Sequence, residues 1–461
     1  MIWPFRPYPP LSLTHKVQLE RQFRATATAI GAFSKDVPSI ICPQDLDPVL
    51  QQVTEDLLPQ TLFEFFAERF SNASEPTPCH PHPKVEWAPI SLLDGNGQAQ
   101  PFQKHLNDEG GISKIQIDSE LKQFPYRVAS IAALACAEFW FRNLDKPQQT
   151  TLGKVPFDLL PVFFGITPIL ANAVLYTDEP LMGTMHQMES SQLGSLSALE
   201  HGYLMSLAEY SLGFDYSSVM PLLRPDASKS LKAGLKFLQK TKDTILPRDL
   251  RTDSSQLHQP PTENELSSRN DTIVLSSLMD LGLASTCPVQ LTPSLCRLLG
   301  HSEPEIRKWA ASTLRSATEL NDEQLSDIYA SLGDSSTAVR AQAILALKPG
   351  FDRDEDVVDR LVDFLSRPER SVVEASVVKL PEFSNFPDRT PEALLKAIHT
   401  LVVKGAADSV FPIALKLLKH FTEDPEGLLK ERFVDDPTIY STLFSDTAPS
   451  EDEFAAPDDD E

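Results

Sequence analysis

The densest run of metal-ligating side chains in this 461-residue chain is Cys79-His80-Pro81-His82. A thiolate and two imidazoles are donor types that can hold a metal ion. The run sits in a Pro-rich stretch with no second ligand pair near it, so chance loop composition is the simpler reading. His186 and His201 lie fifteen residues apart and flank a helix start; both read as ordinary polar residues. Cys136, His201 and Asp158 would supply a nucleophile, a base and an orienting acid if the fold joined them. Nothing in their spacing does so, and Cys136 lies in an apolar helix where a thiol behaves as a small hydrophobe. No G-x-x-x-x-G-K, G-x-G-x-x-G or G-x-S-x-G occurs, so no motif names a reaction.

Charge and composition narrow the classes further. The formal charge is −24, from 41 Lys and Arg against 65 Asp and Glu. Phosphate backbones and anionic lipid repel such a surface, so neither nucleic acid nor membrane is an expected partner. The densest basic cluster, five lysines between Lys229 and Lys242, reads as a solvated helix face. The five cysteines are scattered without a C-x-x-C, which fits reduced thiols in a cytoplasmic protein better than a disulfide framework. The N-terminus, Met1 to Pro10, has no basic region followed by an apolar one and is no signal peptide. Leu159 to Thr177 carries no charge, but Pro161, Gly165, Pro168 and Asn172 interrupt it. A buried helix or a broken pair in a core fits it better than a membrane span.

Apolar spacing and breakers mark the elements that would position any site. Leu13 to Ile30 has a helical apolar spacing, with Gly31 as a stop. Val37 to Cys42 is strand-like. Leu46 to Phe70 is helical, in two pieces broken near Pro59. Ser71 to Gly111 should be mostly loop, with a short strand at Val85 to Ile90. Ile112 to Ile117 alternates and predicts a strand. Tyr126 to Arg142, Leu196 to Leu212 and Ser230 to Leu246 predict helices. Arg248 to Asp271 is polar, with Pro260-Pro261 and no apolar period, and reads as a linker. Ser445 to Glu461 holds eight acids and no base, the composition of a disordered, solubilising tail or of a docking segment for a basic partner.

Beyond the linker the chain repeats itself. The segments Leu295–Leu314, Ile328–Leu347 and Leu361–Leu380 align without gaps at an offset of 33 residues. Leu299, Leu332 and Leu365 share a column. So do Ile306, Val339 and Val372; Ala310, Ala343 and Ser376; and Leu314, Leu347 and Leu380. Arg307 and Arg340 match, while Val373 breaks that column. A weaker fourth unit covers Leu401 to Leu418, with Val410, Ala414 and Leu418 in register. Each unit reads as an amphipathic helix, a polar turn and a second amphipathic helix. Small residues in the second helix permit close approach, and only stacking buries the apolar faces. Trp309 reads as a core residue of such a helix. These residues resemble HEAT-type repeats in their short bacterial form, over about Leu275 to Phe421. The resemblance implies an α-solenoid that binds other macromolecules, an inference from fold alone.

The front half carries a looser likeness. It runs from the strand Ile112–Ile117 and Asp118 to Ala132-Ala-Leu-Ala-Cys-Ala-Glu-Phe-Trp140, then to Asp158-Leu-Leu-Pro-Val-Phe-Phe-Gly165, Ala171-Asn-Ala-Val174 and Gly202–Ala208. This layout resembles an uncharacterised group of bacterial proteins whose helix carries the H-E-x-x-H signature of zinc peptidases. Zinc hydrolysis needs two imidazoles one turn apart, a Glu between them and a third ligand. In the register of the resemblance the His positions hold Cys136 and Trp140 and the Glu position holds Ala137. Asp158 stands where the family has its acidic residue. The resemblance thus implies a domain whose metal site is lost, with no bound metal or cofactor.

The sequence therefore predicts a mostly α protein: an α+β N-terminal domain followed by a short HEAT-like α-solenoid. Its divisions are 1–247, a degenerate metallopeptidase-like domain; 248–271, a linker; 272–443, the repeats; and 444–461, an acidic tail. The expected function is a non-catalytic scaffold that binds a protein partner, basic in character, through the first-helix surface of the repeats. The alternative is a metal-dependent hydrolase, or a degenerate relative that keeps a substrate groove in the N-terminal domain.

Overall fold

A computed structural model describes residues 9–30, 39–72, 82–88, 102–106, 112–143, 157–173, 175–177, 190–192, 194–248, 250, 261–284, 286–350, 354–404 and 407–444. The chain divides into two compact units, Met1–Gln259 and Pro260–Glu461. The boundary falls inside the polar stretch read as a linker, and the described ends of that stretch are anchored. Leu250 is buried and its N–H donates to the Ser211 carbonyl at 2.9 Å. Thr262 caps a helical turn, Glu263–Leu266, whose Leu266 is buried.

In the first unit helix α1 spans Leu13–Ile30, the range its apolar spacing predicts. After it come α2 (Asp47–Gln52) and α3 (Leu58–Asn72). The break lies at Val53 and Thr54, a few residues before Pro59, which sits in the first turn of α3, where its missing N–H costs nothing. Ser39 to Cys42 is extended but joins no sheet; the Ile41 N–H donates to the Gly165 carbonyl instead. Residues 37 and 38 of that expected strand lie outside the described residues.

A three-stranded sheet holds β1 (Lys84–Trp87), β2 (Phe102–Leu106) and β3 (Ile112–Ile117) in the order β1-β3-β2. β1 pairs with β3 in parallel and β2 with β3 antiparallel. The stretch expected to be loop thus contributes β2 as well as β1. Phe102-Gln-Lys-His-Leu106 carries polar residues at all three interior positions, so its strand state comes from pairing with β3 rather than from an apolar period. α4 (Pro125–Arg142) packs across the sheet and against α3.

The uncharged stretch is a broken pair, not one helix. It forms a 3-10 helix over Phe157–Phe164, then α5 (Thr167–Ala173), then β4 (Leu175–Thr177), which pairs with β5 (Ser190–Gln192). Its described residues from Asp158 to Ala171 are all buried. α6 (Ala198–Leu212) and α7 (Pro225–Thr241) complete the unit. α7 starts five residues before the expected Ser230, at a Pro in the first turn. It ends where Lys242 turns left-handed. Its four lysines, and Lys242 after them, are exposed.

α6 and α7 cross with no room for a methyl group at two places. A Cβ on Gly202 would lie 2.5 Å from the Ala227 carbonyl, and one on Gly234 would lie 2.3 Å from Ser206 Oγ. The close approach is also polar, since Ser230 Oγ donates to the Leu199 carbonyl at 2.6 Å.

The first unit is tied together by a buried charge cluster. Lys16 and Glu20, one turn apart on α1, are fully buried with Nζ and Oε1 3.1 Å apart. The Tyr203 hydroxyl donates to Glu20 at 2.6 Å, and Thr244 Oγ1 and the Ile245 N–H both donate at 2.9 Å. Lys16 also lies 3.7 Å from Asp243 and over the Phe237 ring. One carboxylate thereby joins α1 to α6 and to the turn after α7. Burial, and then Glu20 beside it, holds the Tyr203 hydroxyl firmly protonated.

The second unit is a run of helical hairpins. After α8 (Glu263–Leu266) come α9 (Asp271–Leu283) and α10 (Thr292–Leu298). Then follow α11 (Pro304–Leu314), α12 (Asp322–Ala330) and α13 (Thr337–Ala346). Next are α14 (Asp354–Leu365), α15 (Arg370–Lys379), α16 (Thr390–Val403) and α17 (Ala407–Leu418). α18 (Pro425–Phe433) and α19 (Pro437–Phe444) close the described chain. The second helices α11, α13 and α15 stack on one another, and α9 packs on α11 in the same way.

All four repeat columns are buried: Leu299, Leu332 and Leu365; Ile306, Val339 and Val372; Ala310, Ala343 and Ser376; Leu314, Leu347 and Leu380. Of the fourth unit, Ala414 and Leu418 are buried; the side chain of Val410 lies outside what is described. Trp309 is half-buried, and Gly282 of α9 makes room for it: a Cβ there would lie 3.1 Å from the indole.

Two substitutions test this packing. Leu347→Asp places an unpaired carboxylate in the stack and should cost several kcal/mol, on the order of a buried charge; a loss under about 1 kcal/mol in urea denaturation would contradict the shared core. Glu20→Ala removes the carboxylate that Lys16, Tyr203, Thr244 and Ile245 share. It should cost roughly 3–5 kcal/mol, because one member of a buried pair is left behind. A near-neutral result would show that the cluster is dispensable.

Candidate functional site

The positions that the resemblance assigns to a lost zinc site lie on α4 and at Asp158. Cys136, Ala137 and Trp140 lie on α4, and all three are buried. Trp140 packs on Phe70 and Phe164, with ring centroids 6.0 and 5.6 Å away. Burial pushes the Cys136 thiol far up, and no charged neighbour counters that shift. A thiol in that setting stays protonated and is a poor nucleophile. Glu138 of the same helix is engaged with Lys104 at 2.5 Å and Arg142 at 2.9 Å.

Asp158 has a different task. It accepts from the Ser195 and Leu196 N–H groups, both at 2.8 Å, and from Ser195 Oγ at 2.9 Å. Gly194, at φ +82°, lets the turn come that close, since a Cβ there would lie 2.6 Å from Asp158 Oδ2. The carboxylate thus fixes the turn that leads into α6, whose own start is closed by a reciprocal Ser197–Glu200 capping box. His201 is buried beside Asp158 and Glu200, and its Nδ1 has no hydrogen-bond partner. Asp158 and His201 are therefore neighbours, whereas neither perturbs Cys136. Among the described residues no three His, Cys, Asp or Glu converge as a metal site. Cys79, His80 and His186 lie outside the described residues; His82 packs edge-on against Phe63 and Phe139.

A groove of about 480 Å³ opens elsewhere on this unit, with Pro43, Phe124, Tyr126, Ile169 and Leu222 in its lining. Two of its polar side chains are engaged within the protein. Tyr126 donates to Asp47, and Asn172 both donates to the Leu222 carbonyl and accepts from the Arg224 N–H.

The repeat unit offers a more organised surface. Arg307 donates to the His301 and Ser302 carbonyls of its own hairpin turn, at 2.8 and 3.1 Å. The same guanidinium pairs with Asp334 of the next turn at 2.7 and 2.9 Å. Arg340, one repeat on, donates to the Asp334 and Ser335 carbonyls and pairs with Glu369 at 3.1 Å. Val373 ends the series, and Arg370 reaches the Lys404 carbonyl instead. Pairing with Arg307 holds the Asp334 carboxyl below its usual range, against the opposing effect of burial.

The brackets engage Arg307 and Arg340, and the remaining bases of the second helices find acids close by. α11, α13 and α15 together carry five Lys and Arg against two acids. All five bases are in ion pairs: Arg307, Lys308, Arg340, Arg370 and Lys379. The first helices α12 and α14 carry eight acids against the single base Arg360. Between α10 and α12 lies a cavity of about 710 Å³ with Glu323 and Asp327 on one wall and Cys296 and Leu299 below. The acidic layer follows from residue type and helix register, so a count of charges per helix would have found it; the cavity depends on packing and has no such signal.

The burial of His201 has a consequence for pH. Burial outweighs the two acids beside it and lowers its pKa below the usual 6.5. The unfolded chain therefore takes up the proton first, and stability should fall as pH drops below about 6.5. The melting temperature of the native chain should decline more steeply between pH 7.5 and 5.5 than that of His201→Gln. Equal slopes would mean that His201 is not held neutral by the fold.

Residues 292–380 match the family of HEAT repeats. No curated protein matches the chain. The match covers the three ungapped hairpins, from the start of α10 to Leu380, and lies wholly in the second unit, so it lends nothing to the zinc-peptidase likeness of the first. The second unit is a HEAT-like repeat region.

Proposed function

We propose that the chain is an interaction scaffold whose repeat unit binds a basic protein segment on its first-helix layer. The observation that carries this reading is the separation of charge: eight acids to one base on α12 and α14, against two acids to five paired bases on α11, α13 and α15. A layer of one sign steers an oppositely charged partner and selects against like-charged ones. HEAT-type repeats generally present such layers to proteins, which supports the class of partner by analogy of fold. For the first unit we propose a non-catalytic role. The protonated Cys136 thiol and the fully engaged Asp158 support it, with Cys136, Ala137 and Trp140 as core positions and Asp158 as the anchor of α6.

The probe is a fluorescent twenty-residue peptide rich in Arg and Lys, with a Glu-rich peptide of equal length as its opposite. Anisotropy on the full chain should show binding of the basic peptide alone, weakening at least tenfold between 50 and 300 mM salt as screening rises. Asp322→Lys with Glu355→Lys, both at exposed positions of the two first helices, should weaken it further. Equal binding of the acidic peptide, or binding that ignores both substitutions, would overturn the reading.

A further inference from the structure

We infer that the groove at the start of α4 is a docking site for an extended proline-rich segment, and that its occupant is Met1–Tyr8 of this same chain. The inference concerns the first unit alone and goes beyond the scaffold reading of the second.

The groove leaves apolar surface open. Phe124 is 41% exposed, Tyr126 45% and Leu222 36%. Among the described residues of this unit the other large apolar side chains so open are Leu57, Leu106 and Leu199. Half of the set therefore gathers around one concavity of about 480 Å³. Single exposed leucines need no explanation, whereas a patch at a groove marks a binding surface. The two rings are also held in place. The Arg127 guanidinium lies 5.4 Å from the centre of the Phe124 ring, and the Tyr126 hydroxyl donates to Asp47 at 2.5 Å. Side chains ordered beforehand lose little entropy on binding. Pro125 separates the two aromatics, and Pro43 adds a second proline to the lining. Such flat apolar faces suit a polyproline II ligand, whose docking rests on ring contacts rather than on a ladder of backbone hydrogen bonds.

The sequence itself contains a ligand of this kind. Residues 3–11 read Trp-Pro-Phe-Arg-Pro-Tyr-Pro-Pro-Leu. With three residues per turn, side chains three apart share an edge. Pro4, Pro7 and Pro10 fall on one edge, and Phe5, Tyr8 and Leu11 on the next. Met1–Tyr8 lie outside the described residues, but the chain leaves them at a seated end. Pro9 and Pro10 are half-buried, and Leu11 packs against the core of the unit. The edge anchored by Leu11 is the one that carries Tyr8 and Phe5. Eight residues in this conformation span about 25 Å, more than the roughly 18 Å radius of gyration of a globule the size of this unit, so a segment tethered at Pro9 reaches across much of its surface.

Charge agrees with this occupant. Arg6 is the one charged side chain between Met1 and Leu11. Asp47, beside Tyr126, makes no ion pair among the described residues. Pairing of the two would fix the direction in which the segment lies. Tethering adds an effective concentration in the millimolar range, so weak contacts suffice to fill the groove.

The test uses a fluorescent peptide of residues 1–12, the full chain, and the chain without Met1–Tyr8. Anisotropy should show binding to the shortened chain and at least about tenfold weaker binding to the full chain, whose groove is already filled. In the shortened chain Phe124→Ser with Leu222→Ser, both at exposed positions, should weaken the peptide about tenfold. Changes in the peptide read the same contact without touching the fold: Pro4→Ala with Pro7→Ala, and separately Arg6→Glu, should each weaken it at least about threefold. Equal binding to both chains, no binding to the shortened chain, or indifference to either set of substitutions would overturn the inference. So would a full chain that sediments as a dimer and becomes monomeric on loss of Met1–Tyr8, because the groove would then hold the segment of a second copy.

Discussion

The arginine bracket sets the geometry of the repeat unit. Each guanidinium grips two carbonyls of its own turn and a carboxylate of the next, so one side chain fixes both the turn conformation and the spacing between hairpins. Arg307 and Asp334 are only about a tenth exposed, where a charge-assisted bidentate pair is stronger than an exposed one. Beneath the brackets, Ala310, Ala343 and Ser376 let the second helices approach, and the leucine columns fill the layer. A hairpin whose turn drifted would lose the bracket and the column together.

That arrangement has a consequence for the surface. Arg307 and Arg340 are spent between hairpins and the other bases of the second helices on acids beside them, while α12 and α14 carry eight acids against one base. The layer is acidic not merely because the chain carries −24 but because the fold sorts the charges. An excess of one charge on α12 and α14 thus accompanies the pairs that hold the repeats in register.

The first unit solves a different problem. Its core is a single mixed cluster with no repeating column, and one buried carboxylate, Glu20, ties α1 to elements near the end of the unit. Asp158 does the same for the start of α6. Both are acids in places where an enzyme could use one. Each is held by donors from the protein itself, as buried carboxylates require.

Periodicity made the repeat unit legible. An offset of 33 residues with four matching columns dictates hairpins that must stack, and α1, β3 and α4 were equally plain from their apolar spacing and alternation. Lys16 and Glu20 were readable in part, because they share a helical face with Phe23 and Ala27, yet nothing in the sequence says that Tyr203 and Thr244 would meet them. β2 was not readable, since a polar strand takes its state from its neighbour. The nearness of His201 to Asp158, the closeness of Gly202 and Gly234 to their partners, and the cavity beside Cys296 belong to the tertiary structure alone. Local pattern records which face of an element is apolar; which distant backbone, charge or thiol faces it is decided only when the elements pack.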